Sequence, residues 1–340
     1  HLCVHFLRTM SEAEQNDPKY GVSNQNTIRS FWKGDDGRMA EFATRILGSR
    51  DLYPKTLRSI HSSVNFISYH DGFTLHDIVS YNERHNEANC EGNRDGHGQN
   101  LSYNYGEEGP TANVRINSMR ELQKRNMLTT LMLSQGIPHI VAGDEMGRSQ
   151  MGNNNAYCQD NRISWVNWDL SDDDKDLLKF TSKLIRLRLG STLFTSLKLP
   201  DDNYYGKIKP EHQVLWYHAD GHQLTADDWN NPQSRLFTLD IGDISNKGER
   251  WLVLFNASRY DIGFHLPVPG YGMLWEAVLD SAEPDGQPYD MASRHLDLMS
   301  LTKAHSIKVL RQIVNENPEV TKQYRHHPGT KIRSGIIGFG

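Results

Sequence analysis

Residues 64–96 read VNFISYHDGFTLHDIVSYNERHNEANCEGNRDG. The run from Val64 to Tyr69 is rich in β-branched and aromatic side chains and has the composition of a buried strand. It stops at His70-Asp71-Gly72, and a polar, Asn-rich segment follows. A His-Asp pair at a strand end is costly to bury without a partner, and in parallel α/β barrels the carboxyl ends of the strands carry the chemistry. Taken singly, His-Asp-Gly reads just as well as a turn in which Asp71 accepts backbone N–H groups. A second apolar run, Ile137-Pro-His-Ile-Val-Ala142, ends in Gly143-Asp144-Glu145 and is followed by GNNNAYCQDN at 152–161. Two strands ending in acids, each leading into an Asn-rich loop, predict one shared polar face suited to binding hydroxyl groups.

Outward from these strands the pattern alternates between strand and helix. Met39, Phe42, Ala43, Ile46 and Leu47 share one helical face, with Gly48 placed to close that helix. Thr74 and Asp77 form a near capping box for a short helix. A long helix is predicted over about 115–134, and a second strand at 139–142. Ser171 opens a helix over 172–189, whose three leading acids suit the helix dipole. This alternation is the grammar of a parallel sheet. Residues 86–113 show no apolar period and are expected to form a long functional loop, with a second at 150–168. Residues 1–34 read poorly. Beyond about 195, short β-rich runs at 214–218, 235–241, 251–256, 263–267, 273–279 and 306–310 are separated by Gly, Pro, Asn and Asp, as in an antiparallel sandwich. The expected organisation is a partial (β/α)8 barrel over 1–192, a β-sandwich over 193–312 and a loose tail over 313–340.

Composition narrows the function. The 340 residues carry a net charge of −5, which supplies no electrostatic footprint for nucleic acid or anionic membrane. No apolar run approaches the roughly 20 residues of a membrane span, and the N-terminus lacks the marks of a secretory signal. Cys3, Cys90 and Cys158 are too few for a disulfide framework, which fits a cytoplasmic protein. The first residue is His rather than Met, so a piece of a longer protein is expected.

No HExxH or CxxC occurs, and His61, His70, His76, His85 and His97 lack metal-ligand spacing. Neither a metal nor any cofactor is expected. A phosphate-binding Gly-rich loop and a GxSxG nucleophile elbow are likewise missing. What remains suits a carbohydrate, whose vicinal hydroxyls take carboxylate and amide contacts and whose C–H faces stack on aromatic rings. The loops offer Asn89, Arg94, Asp95, Asn153, Asn154, Gln159 and Asp160, with Tyr103, Tyr105, Tyr157 and Trp165.

With those residues in view, the chain resembles the C-terminal part of bacterial glycogen debranching enzymes, isoamylase-type members of the α-amylase superfamily of glycoside hydrolases. The resemblance rests on FISYHDGFTLHD (66–77), HNEANCEGNRDG (85–96), Met132-Leu-Ser-Gln-Gly136, AGDE (142–145), GNNNAYCQDN and LTADDW (224–229), and it spans about 29 to 310. It implies a (β/α)8 barrel with a C-terminal β-sandwich that hydrolyses α-1,6 branch linkages of glycogen-like glucans with retention. Asp71 then matches the transition-state-stabilising acid, and His70 a contact to the same sugar. Substrate contacts are also expected from Arg94, Asp95, Asn154, Tyr157 and Asp160.

Retention needs two further carboxylates, a nucleophile and an acid, about 5–5.5 Å apart. The family carries them in GFRxD-like and AEPW-like segments, and neither occurs here. Cys90 also stands where the subgroup usually has Gly. The chain by itself is therefore expected to be inactive. Two other readings stay open: a non-catalytic glucan-binding protein, and an independent hydrolase that pairs Asp71 with Asp144 or Glu145.

Overall fold

In the computed structural model, residues 22–52, 61, 63–197, 211–245, 248–289, 295–296 and 298–315 are described. Helix α1, Val22–Lys33, occupies a segment in which the sequence shows no period. Apolar Ile28, Phe31 and Trp32 are buried there together with polar Asn24, Gln25, Thr27, Arg29 and Ser30. A helix buried on most sides has no amphipathic stripe to read. Its polar groups are used as connectors: Asn24 Nδ2 donates to Asn65 Oδ1 at 3.2 Å. Helix α2, Met39–Ile46, buries Met39, Phe42, Ala43 and Ile46 as expected, and Gly48 follows with φ +86, the left-handed conformation that ends such helices.

Strand β1, Val64–Phe66, pairs in parallel with β2, Ile137–His139, in the register Val64↔Ile137, Asn65↔Pro138 and Phe66↔His139. The second strand thus covers 137–139, overlapping its expected place at 139–142 only at His139, and the first ends at Phe66 rather than Tyr69. Between the two lie α3 (Leu75–Ile78), whose Thr74 cap accepts from the Asp77 N–H at 3.2 Å, and the long α4 (Val114–Leu133). The carboxyl end of α4 is closed from outside by α5, Asp172–Leu189. Arg188 of α5 donates to the carbonyls of Met132 (2.5 Å), Ser134 (2.8 Å) and Gly136 (2.5 Å), which would otherwise be orphaned at the helix end. Among the described residues the parallel sheet has these two strands.

After the short α6 (Thr192–Thr195) the chain becomes antiparallel. Strands β3 (His212–Tyr217), β4 (Leu236–Asp243), β5 (Arg250–Asn256), β7 (Met273–Asp280), β8 (His295–Leu296) and β10 (Ser306–Val314) form a sheet in the order β3-β4-β5-β10-β7-β8. Strands β6 (Ile262–His265) and β9 (Met299–Thr302) make a separate pair, and α7 (Ala226–Asn230) follows β3. The alternation along β5 explains the layering. Leu252 and Leu254 face a core with Phe264 of β6, while Val253 and Phe255 face the helices. The expected tail begins later than 313, because β10 runs to Val314; residues 316–340 lie outside the described part.

The helical part and the large sheet share one core. Phe31 and Phe42 stack with ring centroids 3.9 Å apart, Phe42 meets Phe255 edge-on at 5.4 Å, and Phe255 stacks on Phe237 at 4.7 Å. Polar links reinforce this seam: Arg125 Nε donates to Ser281 O at 2.7 Å, and Asn126 Nδ2 to His305 O at 2.6 Å. Both donors lie on α4, which explains why that helix is buried on nearly all sides from Gln123 onward.

Candidate active site

The parallel pairing sends both strand ends the same way, so the segments after β1 and β2 meet. Asp144 sits beneath them, 2 % exposed. Its Oδ1 accepts from the Leu75 N–H at 2.9 Å, and its Oδ2 accepts from the Ser68 hydroxyl. Burial pushes this carboxyl up to about 6, against the opposing effect of the Ser68 and Leu75 hydrogen bonds. Arg29 reaches the same place from α1: Nε and Nη2 donate to Ile67 O at 2.9 and 2.6 Å, and Nη1 donates to Asn100 O at 2.6 Å. Asp144 and Arg29 thus clamp the backbone on which His70 and Asp71 stand.

Asp71 and His70 are placed quite differently. Both side chains are exposed, at 56 % and 83 %, with His70 Nε2 3.3 Å from Asp71 Oδ2. Around them lie aromatic and imidazole groups. Tyr69 packs on His70 at 5.5 Å between ring centroids and on Phe66 at 5.3 Å, and His139 of β2 meets Phe66 at 6.3 Å. The Tyr69 hydroxyl lies 3.1 Å from His97 Nε2, which ties the strand end to the 86–113 loop. Burial, then the Asp71 charge, raises the Tyr69 phenol; burial, then His70, lowers His139. A carboxylate on an exposed turn, backed by a buried clamp and rimmed by rings, can hydrogen-bond sugar hydroxyls and present a stacking face.

The two long loops are ordered by one another. Asn154, fully buried, accepts from Asn86 Nδ2 at 2.9 Å and donates to His97 O (2.8 Å) and Asn100 Oδ1 (2.9 Å). Asn153 Nδ2 donates to Asn89 Oδ1 at 3.0 Å, and Asp95 Oδ2 accepts from Asn89 (2.7 Å) and Asn155 (2.9 Å). Asn154, expected to offer its amide outward, instead spends it inside the protein, and Asp95 has one oxygen committed in the same way. The other expected contacts lie on the surface. Arg94 donates to Glu91 O at 3.3 Å, the Tyr157 hydroxyl donates to Glu91 Oε1 at 2.6 Å, and Asp160 accepts from Trp165 Nε1 at 3.0 Å. Trp165 and Trp168 are 61 % and 78 % exposed and extend this aromatic surface.

Sequence reasoning missed Arg29, Ser68 and Asp77. Asp77 is buried and accepts from Ser149 Oγ (2.6 Å) and Gln150 N (2.8 Å), which anchors the start of the second loop under α3; burial pushes it up to about 6. A buried acid three residues after a cap looks in sequence like half of a capping box, and its partners lie some 70 residues away.

Comparison with known proteins finds relatives of one kind. A family described as "Isoamylase, C-terminal" matches residues 213–295. The glycogen operon protein GlgX homolog of Mycobacterium tuberculosis (strain ATCC 25618 / H37Rv) is 40% identical over 298 residues, 85% of this chain and 41% of that protein. The glycogen debranching enzyme of Pectobacterium atrosepticum is 41% identical over 243 residues, 72% of this chain and 34% of the enzyme. Isoamylase 1, chloroplastic, of Oryza sativa subsp. japonica is 38% identical over 294 residues, 86% of this chain and 34% of that protein. Among solved structures, a pullulanase from Bacillus acidopullulyticus aligns with TM-score 0.58 and 17% identity over 84% of this chain and 30% of that one, a likeness of fold.

The chain thus carries an isoamylase C-terminal family domain over 213–295 and is similar along most of its length to a protein named as an isoamylase. More narrowly, it is similar to bacterial proteins named glycogen operon protein GlgX homolog and glycogen debranching enzyme, and covers their C-terminal portion. It spans about two fifths of the GlgX homolog's length and about a third of the other two relatives.

Proposed function

We propose that this chain forms the last units of a (β/α)8 barrel and its C-terminal β-domain in an α-1,6-glucan debranching hydrolase, with branched glucan as the ligand of the His70–Asp71 turn. Asp71 hydrogen-bonds hydroxyls of the sugar in the cleavage subsite and favours its distorted ring, and His70 contacts the same sugar. The observation that carries this reading is the contrast between the two acids at the strand ends. Asp144 has both oxygens engaged inside the protein, whereas Asp71 is exposed beside His70.

That contrast also weighs against an independent hydrolase built on Asp71 and Asp144. Glu145 is no better placed as a partner, since its Oε2 accepts from the Gly143 N–H at 2.9 Å. In this reading the nucleophile and general acid come from segments that this chain does not contain, so the 340 residues bind glucan without cleaving it. Arg94, Tyr157 and Asp160 line the outer, chain-holding part of the surface, while Asp95 and Asn154 hold the loops that present it.

The test uses the 340-residue chain and a matched chain extended with the upstream segments of a close relative. Reducing-end release from glycogen limit dextrin is expected from the extended chain only. Asp71→Asn should then lower its kcat by about 10²–10³, the usual cost of losing a group aimed at transition-state charge. An Asp71→Asn variant with unchanged kcat would refute the assigned role.

A further inference from the structure

A second polar cluster lies on the β-domain, in a part of the chain the glucan-binding reading does not use. Strand β3 ends at Tyr217, and the chain reverses through His218-Ala-Asp-Gly-His222 before Gln223 bridges back to Tyr217. The His218 N–H donates to His222 O at 2.9 Å and the Gly221 N–H to His218 O at 3.0 Å, with Gly221 at φ +91. This tight turn sets the two imidazoles side by side, stacked at 5.0 Å between ring centroids and 25° between planes. Asp220 projects between them: its Oδ1 lies 2.6 Å from His222 Nδ1 and 3.2 Å from His218 Nδ1.

The far side of His222 is also fixed. Its Nε2 lies 3.0 Å from Asp228 Oδ2, and the same oxygen accepts from the Thr225 N–H (2.8 Å) and hydroxyl (2.6 Å) in the capping box of α7. A neutral His222 that donates through Nε2 turns its Nδ1 lone pair toward Asp220. The Asp220 N–H donates to His218 Nδ1 at 3.4 Å, a long bond that marks this nitrogen as unprotonated and that a metal ion would displace to take its lone pair. Two imidazole lone pairs and a carboxylate oxygen then converge, with all three ligand atoms within 4.8 Å of one another. A proton can satisfy one of these nitrogens; a divalent cation satisfies both together with the carboxylate.

We propose that His218 Nδ1, Asp220 Oδ1 and His222 Nδ1 bind a divalent transition-metal ion of the zinc class. Zinc–ligand distances of about 2.0–2.2 Å in a tetrahedron put ligand atoms about 3.3 Å apart; the His218–Asp220 pair at 3.2 Å already meets this, and the His222–Asp220 contact at 2.6 Å would open by about 0.7 Å. An N₂O donor set suits zinc, nickel or copper rather than calcium or magnesium, which prefer all-oxygen sites. Asp228 supplies the outer carboxylate that orients a metal-binding histidine. Three protein ligands leave a fourth position for water on this exposed turn. The spacing is His-x-Asp-x-His, which searches for HExxH or paired cysteines pass over.

The experiment is calorimetric titration of the untagged 340-residue chain with ZnCl₂ at pH 7.5, repeated on variants. One saturable micromolar site is expected in the parent and none in His218→Ala or His222→Ala. Asp228→Asn should weaken it about 10–100-fold, the usual effect of losing an outer-shell partner. His265→Ala, an exposed histidine beside the turn, should leave it unchanged. Excess CaCl₂ or MgCl₂ should not displace zinc. Because the chain holds 16 histidines, the comparison with variants is decisive. Equal zinc binding by parent and a His218→Ala/His222→Ala double variant, or no saturable binding below millimolar zinc, would overturn the assignment and leave the cluster an ion-paired turn.

Discussion

At the scale of single residues, the two acids that the sequence set in parallel have opposite lives. Asp71 stands in the open, so Asp71→Asn should shift stability by no more than about 0.5 kcal/mol, as for most surface substitutions, while it removes the proposed contact to sugar. Asp144→Ala should destabilise by about 1–3 kcal/mol, because it orphans the buried Leu75 N–H. Urea unfolding of both variants checks the pair. Burial raises Asp144 and Asp77 to about 6 in the folded chain, above the unfolded value near 3.9. The stability tied to their protonation is therefore fully present below about pH 4 and lost as pH rises through about 6. An Asp77→Asn variant should accordingly lose more stability relative to the parent at pH 4.5 than at pH 7. A pH-independent difference would contradict that sign. The exposed position of Asp71 just beyond a strand was legible because an apolar run, an acid and a Gly adjoin in sequence. The clamp of Arg29, Ser68 and Asp144 was not, since its members lie 39 and 76 positions apart along the chain.

At the scale of elements, what could be read depended on amphipathicity and caps. Ser171 opens α5 as expected, with Asp174 returning the bond to complete a capping box. Ser171→Ala should cost about 1 kcal/mol, measurable as a lower urea midpoint. Helix α1 was illegible because it is buried on most sides by polar and apolar residues alike, and the first half of α4 misled. Ile116, Met119 and Leu122 look like a core stripe in sequence but are only partly buried. The loops 86–113 and 150–168 were recognised as polar and long. Their amides, however, serve each other before any ligand. Asn154→Ala should cost about 1–3 kcal/mol by leaving one N–H of the Asn86 amide and the His97 carbonyl without this partner. It should also speed amide exchange across 86–100 more than across β5; uniform loss of protection would argue against a local lock.

At the scale of the whole molecule, the change from parallel to antiparallel grammar near 195 was plain in the spacing of turn residues. The shared core was not. Phe31, Phe42, Phe237 and Phe255 come from both halves and pack as one cluster. Phe255→Ala should cost about 3–5 kcal/mol and lower the unfolding midpoint of helical and β signals together. Two separated transitions would mean that the halves are independent.

This coupling gives the β-domain a part in holding the strand ends that carry Asp71, because α1 both joins the Phe cluster and supplies Arg29. The proposed division of labour, with Asp71 here and the nucleophile and acid elsewhere, is tested most directly by one assay. The purified 340-residue chain is incubated with glycogen limit dextrin, and new reducing ends are counted against a protein-free control. No release above the control is predicted, alongside measurable binding of the same glucan that Asp71→Asn weakens. Turnover clearly above the control would contradict the account, because it would mean that a complete catalytic pair lies within these residues.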